Sequence, residues 1–358
     1  MKRTSNDFLD QLTQGLFSLF GPWSESVEEL DWVFDGPVSL VRARTMNGSI
    51  VVRAANQRGA TVRAWKTVRG PTEGLADAFR ERVRVHVTQH GESLHVYSVY
   101  PQPPLGCSVF VRYEITVPRT VDIDLYVENG AIDISGTEGA IEAEVWSGSI
   151  ELNESIGPAD LYVSSGRIRA RNAEGAMKAE SGAGDIFFED VVGDVRLRTT
   201  RGDLEFVRCT GALRGRSHEG GITVEDATGT VNLETDRGSI RASLLRLEER
   251  AVFLTQEGSI LVRIQDGLAP VHMETLEGNV DLAVPPRFAG RVEAETGRGA
   301  IACELPLDIV EVGPHLLIAR SDDDNGAQIK VHTFDGDISI HEFPAGGLNQ
   351  GSKGDEDE

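Results

Sequence analysis

The chain has 358 residues and a formal net charge of −22, from 35 Lys and Arg against 57 Asp and Glu. This charge argues against a nucleic-acid binder, because such proteins need a broad basic surface. Three cysteines exclude a disulfide framework, and no apolar run is long enough to span a membrane as a helix. A hydrophobic content of 40% suffices for a packed core, and the length predicts either two domains or a repeat.

Apolar residues near the start of the chain follow a helical period. Phe8, Leu12 and Leu16 would share one face of a helix over residues 5–20. We predict that residues 1–35 form an amphipathic helical cap over the open end of a core, with contact to a membrane surface and docking of a partner as the weaker alternatives. The segment lacks the features of a secretory signal peptide, which predicts a cytoplasmic location.

Residues 36–120 are predicted to form an irregular region. Residues 71–79 suggest a short helix, and residues 83–87 and 94–99 suggest a β-hairpin that turns at His90-Gly91. His86 and His95 are expected to face each other across this hairpin, where two imidazoles could hold a metal ion. A cross-strand ring pair is the simpler interpretation, because no third ligand is visible nearby.

Glycines recur at one constant spacing from Gly130 through Gly148 and Gly166 to Gly238, and a second set lies midway between them. Each glycine is followed at the second and fourth positions by apolar residues, an alternation typical of a strand with one buried face. The half-repeat of nine leaves no room for a crossover helix, so equivalent strands must stack in parallel. The pattern predicts an all-β fold, a single elongated two-sheet parallel β-solenoid of nine-residue half-coils with glycines at its corners.

The repeat is strict over residues 121–243 and looser over 244–343, where the glycines lie further apart and less evenly. The signature around Gly336 predicts the last coil of a solenoid that covers residues 36–343. Residues 344–358 are acidic and glycine-rich, and we predict a disordered tail there.

The Gly-x-Ile units, together with the preceding hairpin and the sequence Ile115-Thr116-Val117-Pro118, resemble a widespread bacterial family. Its members are β-strand-repeat proteins of unknown function known as candidate adhesins, and they are related to toast-rack-like β-solenoids. The resemblance covers residues 36–343 and implies the solenoid fold. It also implies association with the cell envelope, where such proteins are often found. The shared motif consists of structural positions, so it assigns no functional residue.

Outward-facing positions of the second half-coil carry a cluster of basic residues. Arg196 is expected to stack on Arg214, and Arg198 on Arg216, although like charges in neighbouring strands repel each other. An acidic protein that places arginines together is suited to hold an anionic partner there, whereas the simpler alternative is an exposed face of mixed charge. The candidate binding residues are Lys178, Arg196, Arg198, Arg214 and Arg216.

Other chemistry has weaker support. Asp185 and Asp203 offer carboxylates at stacked corners, where a weak cation site is conceivable, but solvated turn aspartates are the more ordinary interpretation. The sequence contains no recognisable nucleophile motif, phosphate-binding loop or dinucleotide fingerprint. We therefore expect no catalytic residues, no metal site and no cofactor.

The sequence favours a non-enzymatic scaffold or interaction protein that binds a protein or an anionic glycan through the basic cluster. Nucleic acid is not expected as a partner, and the oligomeric state is left open. Two alternatives are retained: a self-assembling structural scaffold, and a carbohydrate-binding or polysaccharide-processing β-helix.

Overall fold

The structure is a computed structural model that describes residues 23–267, 269–321 and 326–343. The predicted cap helix and surface contact over residues 5–20, and the predicted tail over residues 344–358, lie outside the described residues. The chain divides into two compact units, Met1–Arg167 (unit 1) and Ile168–Glu358 (unit 2).

The described part of unit 1, from residue 23 onward, contains one short helix among long strands. Its elements are β1 (Ser24–Phe34), β2 (Leu40–Ala55), β3 (Ala60–Gly70), α1 (Glu73–Arg80), β4 (Arg84–His90), β5 (Ser93–Val99), β6 (Ser108–Pro118), β7 (Asp122–Ser135), β8 (Ile141–Ile156) and the first part of β9 (Ala159–Glu174).

Parallel pairing organises most of unit 1. Strand β7 lies between β2 and β8, and the three strands follow the repeat, with Ile50, Ile132 and Ile150 aligned and fully buried. The first half of β2 also pairs in parallel with β5, and its second half pairs in parallel with β6. The alternation of apolar and polar residues therefore produces a stacked core, as expected of a half-buried strand.

Antiparallel strands complete the irregular part of unit 1. Strand β6 pairs with β3, and β3 pairs with β1. The prediction that residues 1–35 form a helical cap is thus wrong for residues 24–34, because β1 occupies them. Its acidic side chains form ion pairs with β3, including Glu28 with Lys66 at 2.6 Å and Asp31 with Arg63 at 2.9 Å. Charges of this kind discourage pairing of a strand with other chains.

The predicted helix and hairpin are confirmed. Helix α1 begins after Thr72, whose hydroxyl accepts a hydrogen bond from the Leu75 N–H, and it buries Phe79. Strands β4 and β5 form the hairpin. The prediction that His86 faces His95 is wrong, because the two-residue loop aligns His86 with Tyr97 instead.

The regular elements in the described residues of unit 2 are all strands. After the end of β9 they are β10 (Met177–Ala183), β11 (Ile186–Val192), β12 (Val195–Arg201), β13 (Leu204–Val207), β14 (Thr210–Glu219), β15 (Ile222–Arg237), β16 (Ile240–Glu257), β17 (Ile260–Ile264), β18 (Val271–Glu277), β19 (Val280–Val284), β20 (Gly290–Arg298), β21 (Ile301–Cys303), β22 (Asp308–Val312), β23 (Leu316–Arg320), β24 (Ala327–Asp335) and β25 (Ile338–Glu342).

The parallel register in unit 2 follows the glycine period of the sequence. One stack aligns Ile186 with Leu204 and Ile222, and the other runs from β10 through β12 and β14 to β15. The predicted all-β parallel β-solenoid is confirmed.

Both kinds of corner contain glycine with positive φ, and one of them also contains left-handed residues of other types. Gly202 has φ +142°, and a Cβ there would lie 2.5 Å from the carbonyl carbon of Gly184 in the preceding coil, so only glycine fits. The other corner contains left-handed residues that are not glycine, including Asp190 at φ 54° and Arg208 at φ 50°. These are the costlier positions, and their side chains form the ion pairs described below.

Buried hydroxyl groups connect neighbouring coils at the glycine corner. The Thr199 hydroxyl donates to the carbonyl oxygen of Gly184 at 3.1 Å, and the Ser217 hydroxyl donates to that of Gly202 at 3.1 Å. The same contact recurs at Thr235, Thr255, Thr275, Thr296 and Thr333. The motif Ser/Thr-x-x-Gly therefore satisfies a buried polar group in each of these coils.

The last coils do not stack in sequence order. Strand β24 pairs with β18 on one side and with β20 on the other, so Gly336 lies between Gly278 and Gly299. The prediction that the Gly336 coil is the last is wrong. Every coil carries the same glycine and apolar signature, and this signature does not encode which coils are neighbours.

Candidate functional site

The basic residues of the second half-coil lie on the outward side of β10, β12 and β14. The parallel register aligns Arg196 with Arg214 and Arg198 with Arg216, as the period predicts. Lys178 precedes Arg196 in the same row. We use the name arginine surface for Lys178, Arg196, Arg198, Arg214 and Arg216.

Most of this charge is not neutralised within the protein. Arg216 lies 3.3 Å from a carboxylate oxygen of Glu234, and Lys178 lies 3.6 Å from one of Glu180. Within the described ranges, Arg196, Arg198 and Arg214 are exposed and have no carboxylate at ion-pair distance. Three guanidinium groups are therefore available to an external anion.

A shallow depression of about 200 Å³ lies within the arginine surface. Lys178, Arg196 and Arg214 line it together with Asp194 and Met177. It has room for a carboxylate or a group of similar size, and the surface around it is the flat face of a parallel sheet.

The corner aspartates that suggested a cation site instead join successive coils. One carboxylate oxygen of Asp185 accepts a hydrogen bond from the Asp203 N–H at 3.0 Å. Asp203 accepts one from the Gly221 N–H at 2.7 Å. In the part of the chain that the structure describes, no group of three or more His, Cys, Asp or Glu side chains is placed to hold a metal ion.

The opposite corner of unit 2 carries an ion-pair network that the sequence analysis did not identify. Arg208 donates to both carboxylate oxygens of Asp190 at 2.7 Å and to Glu189 at 2.6 Å. Glu189 also accepts from Arg171 at 2.8 Å. Hydrogen bonds from Arg208 lower the pKa of Asp190, and those from Arg208 and then Arg171 lower the pKa of Glu189.

Arg208→Gln should raise the pKa of Asp190 and Glu189 towards ordinary values, measurable by NMR titration of the side-chain carboxyl carbons. A carboxylate with a lowered folded-state pKa stabilises the fold above its unfolded-state pKa, and loses this contribution as the pH falls through the folded-state value. The variant should therefore be less stable than wild type at pH 7, with the gap closing towards about pH 3.

Arg241→Gln is the matched control, since Arg241 is exposed and has no ion pair among the described residues. A gap between wild type and Arg208→Gln that stays constant with pH would contradict the prediction.

Unit 1 contains a larger cleft, of about 720 Å³, that the sequence analysis missed. Outward side chains of β5, β2 and β7 form it, and the register aligns Tyr97 with Arg44 and Arg44 with Tyr126. Two of these positions were detectable in the sequence, because Arg44 and Tyr126 each lie four positions before a corner glycine. Tyr97 was not, because it lies in the hairpin, where no glycine marks the register.

No helix in the described part of the chain is long and apolar enough to cross a bilayer.

Comparisons with known proteins give matches that cover most of the chain. The model of the Toastrack DUF4097 family matches residues 44–341. A candidate cell adhesion protein from Clostridium sporogenes is 8% identical, with a TM-score of 0.22, over 89% of this chain and 100% of its own. A search of curated proteins gave no significant match.

Two further solved structures are similar over most of the chain. A candidate adhesin from Bacteroides fragilis is 14% identical, with a TM-score of 0.26, over 72% of this chain and 98% of its own. A candidate lipid-binding protein from Parabacteroides distasonis is 8% identical, with a TM-score of 0.31, over 73% of this chain and 97% of its own.

Proposed function

Because the chain belongs to the Toastrack DUF4097 family, a β-solenoid family of unknown function, we propose that it acts by binding rather than by catalysis. The proposed partner is an acidic protein segment, and the arginine surface of unit 2 is the proposed site. The observation that carries this proposal is the set of three exposed arginines without a carboxylate partner in the described residues.

Like charges repel each other within the arginine surface. Arg196 and Arg214 lie on adjacent strands, where like charges in register destabilise the sheet. The chain has 57 acidic residues to distribute, yet Arg196, Arg198 and Arg214 have no carboxylate at ion-pair distance among the described residues. An external anion would remove the repulsion and gain charge-assisted hydrogen bonds, which are strongest when a guanidinium binds a carboxylate with two nitrogens.

The spacing favours an extended acidic peptide. Arg196 and Arg198 are two positions apart on one strand, so their side chains emerge about 6.6 Å apart on the same face. Alternate side chains of any extended peptide repeat at the same distance. A segment with Glu at every second position could therefore pair with both arginines. Arg214 on the adjacent strand offers a further contact, whereas Arg216 is already paired with Glu234.

The test measures binding of an octapeptide that alternates Glu and Thr, with a Gln-Thr peptide as the uncharged probe. We expect wild-type protein to bind only the Glu peptide, with affinity that falls as salt is added. Arg196→Ser with Arg214→Ser should weaken binding about fivefold, since exposed ion pairs contribute roughly 0.5 kcal/mol each.

A matched control removes the same charge from the other stack of unit 2. Arg241 and Arg263 are both exposed, and neither has an ion pair in the described ranges. Arg241→Ser with Arg263→Ser should leave the affinity nearly unchanged. If both double variants lose the same affinity for the Glu peptide, the effect comes from net charge and not from this site. If the protein binds a sulfated glycan but not the peptide, an acidic peptide is excluded as the partner.

A further inference from the structure

A second binding site is built into unit 1, on residues that the arginine surface does not include. Its centre is a row of three outward side chains on adjacent strands, Tyr97, Arg44 and Tyr126. The cleft around them has a volume of about 720 Å³, within the range usual for small-molecule sites.

Arg44 is charged and available. The neighbouring Arg42 is already engaged by Asp124 at 3.0 Å. Arg44 has no ion pair or hydrogen bond from its side chain among the described residues, although it lines the cleft. A guanidinium between two tyrosines in a concave site can bind a ligand carboxylate through two parallel hydrogen bonds.

The tyrosines are positioned as ring platforms. Tyr97 is 41% exposed, and His86 stacks on one of its faces at 5.0 Å between ring centroids, with 17° between the planes. This contact restricts the Tyr97 ring before any ligand arrives and leaves its remaining surface open. Tyr126 follows two strands away, about 9.6 Å at the usual strand spacing.

The cleft continues across the same face of the sheet. A depression of about 340 Å³ shares Arg44, Asp124 and Tyr126 with it and adds Glu142 and Glu144. The two together form a groove across β5, β2, β7 and β8, lined by rings, one available cation and several carboxylate acceptors. Tyr162, 36% exposed, occupies the position one full repeat after Glu144.

We propose that this groove binds an oligosaccharide that contains a uronic acid. The apolar C–H face of a pyranose ring stacks on a tyrosine, and consecutive rings of an extended chain could reach both Tyr97 and Tyr126. Arg44 binds the carboxylate of the acidic sugar. Asp124 and Glu142 accept hydrogen bonds from its hydroxyl groups.

Other anions fit the groove less well. A phosphate would have Arg44 as its partner, but it concentrates its charge on one group and lacks the set of hydroxyl donors that Asp124, Glu142 and Glu144 can accept. An acidic peptide has the carboxylate, but it lacks the hydroxyl groups that these acceptors can bind. A ligand with one carboxylate per ring and many hydroxyl groups matches both the cation and the acceptors.

The experiment is isothermal titration calorimetry of the full chain with trigalacturonate, with its methyl ester as the neutral probe and triglutamate as the peptide probe. We expect trigalacturonate to bind and the other two to bind at least about tenfold more weakly, because hydrogen bonds to a charged group are the strong ones. Arg44→Gln should lower the affinity for trigalacturonate by about tenfold. Tyr126→Leu should lower it by about fivefold.

Two control variants separate this site from general charge effects and from the proposed function. Arg53 lies on the same strand as Arg44, is exposed and has no ion pair in the described residues, so Arg53→Gln should bind normally. Arg196→Ser with Arg214→Ser should also bind normally, and the affinity of Arg44→Gln for the acidic octapeptide should be unchanged. The experiments can therefore contradict the proposal for one site without contradicting the proposal for the other.

Three results would overturn the proposal. One is the absence of trigalacturonate binding to the wild-type protein. Another is unchanged affinity in Arg44→Gln, with circular dichroism showing that the variant is folded. The third is binding of the methyl ester or of triglutamate as tightly as trigalacturonate, because recognition would then not depend on a sugar carboxylate.

Discussion

Gly148→Ala is expected to destabilise the protein by at least about 3 kcal/mol, measured as the free energy of unfolding in urea. Gly148 has φ +144°, a conformation that side chains rarely adopt. An added Cβ would also lie 2.7 Å from the carbonyl carbon of Gly130 and closer still to its oxygen. Backbone atoms of a stacked coil cannot move aside without disturbing the strands on both sides.

Gly74→Ala is the matched control in the same unit. Gly74 lies in helix α1, and an added Cβ would meet no atom within 4 Å. Alanine is the better helix former by up to about 1 kcal/mol, so this variant should be as stable as wild type or slightly more stable. If Gly148→Ala and Gly74→Ala unfold at the same urea concentration, close stacking does not explain the corner glycines.

Phe206→Ala should cost about 3–5 kcal/mol of unfolding free energy, because it empties a core position in unit 2. Phe206 is fully buried, and the parallel register aligns it with Phe188. Its ring occupies space beside Gly215, where an added Cβ would lie 3.2 Å from the ring and 3.0 Å from Leu233. The missing side chain at Gly215 therefore makes room for the aromatic ring.

The close fit of Phe206 against Gly215 predicts that substitutions at these two positions have non-additive effects on the free energy of unfolding. Gly215→Ala alone should cost about 1 kcal/mol or more through overpacking. Combined with Phe206→Leu it should cost less than the sum of the two single variants, because the smaller side chain leaves room for the new methyl group. Gly215→Ala with Ile50→Val, a core change in unit 1, should be additive. Additivity of both pairs in urea unfolding would contradict the proposed fit.

Much of the arginine surface follows from the sequence once the period is known. One full repeat separates Arg196 from Arg214 and Arg198 from Arg216, which places each pair side by side, and the register agrees. The ion pair of Arg216 with Glu234 does not follow, because it depends on the rotamers of two long side chains.

The groove in unit 1 was harder to predict for a different reason. Arg44 and Tyr126 are distant in the chain, and Tyr97 belongs to a hairpin outside the repeat. Tyr97 is aligned with Arg44 because β5 pairs with the first half of β2. This is a long-range contact that no periodic pattern in the sequence predicts. The outward row that contains Arg198 and Arg216 runs back in steps of one full repeat through Tyr162 and Glu144, but the period does not extend that row into the irregular region.

The pattern of amino acids was enough to predict the parallel coils, their register over the regular repeat and the need for glycine at the corners. These properties are local, since the pleat sets which side chains are buried and the glycine period sets where each coil turns. Three features depend on tertiary contacts: antiparallel strands complete the irregular part of unit 1, β24 lies between β18 and β20, and two tyrosines flank Arg44. In each case several strands offer equivalent backbone hydrogen-bonding groups. Packing between segments that are distant in the chain determines which of these strands pair.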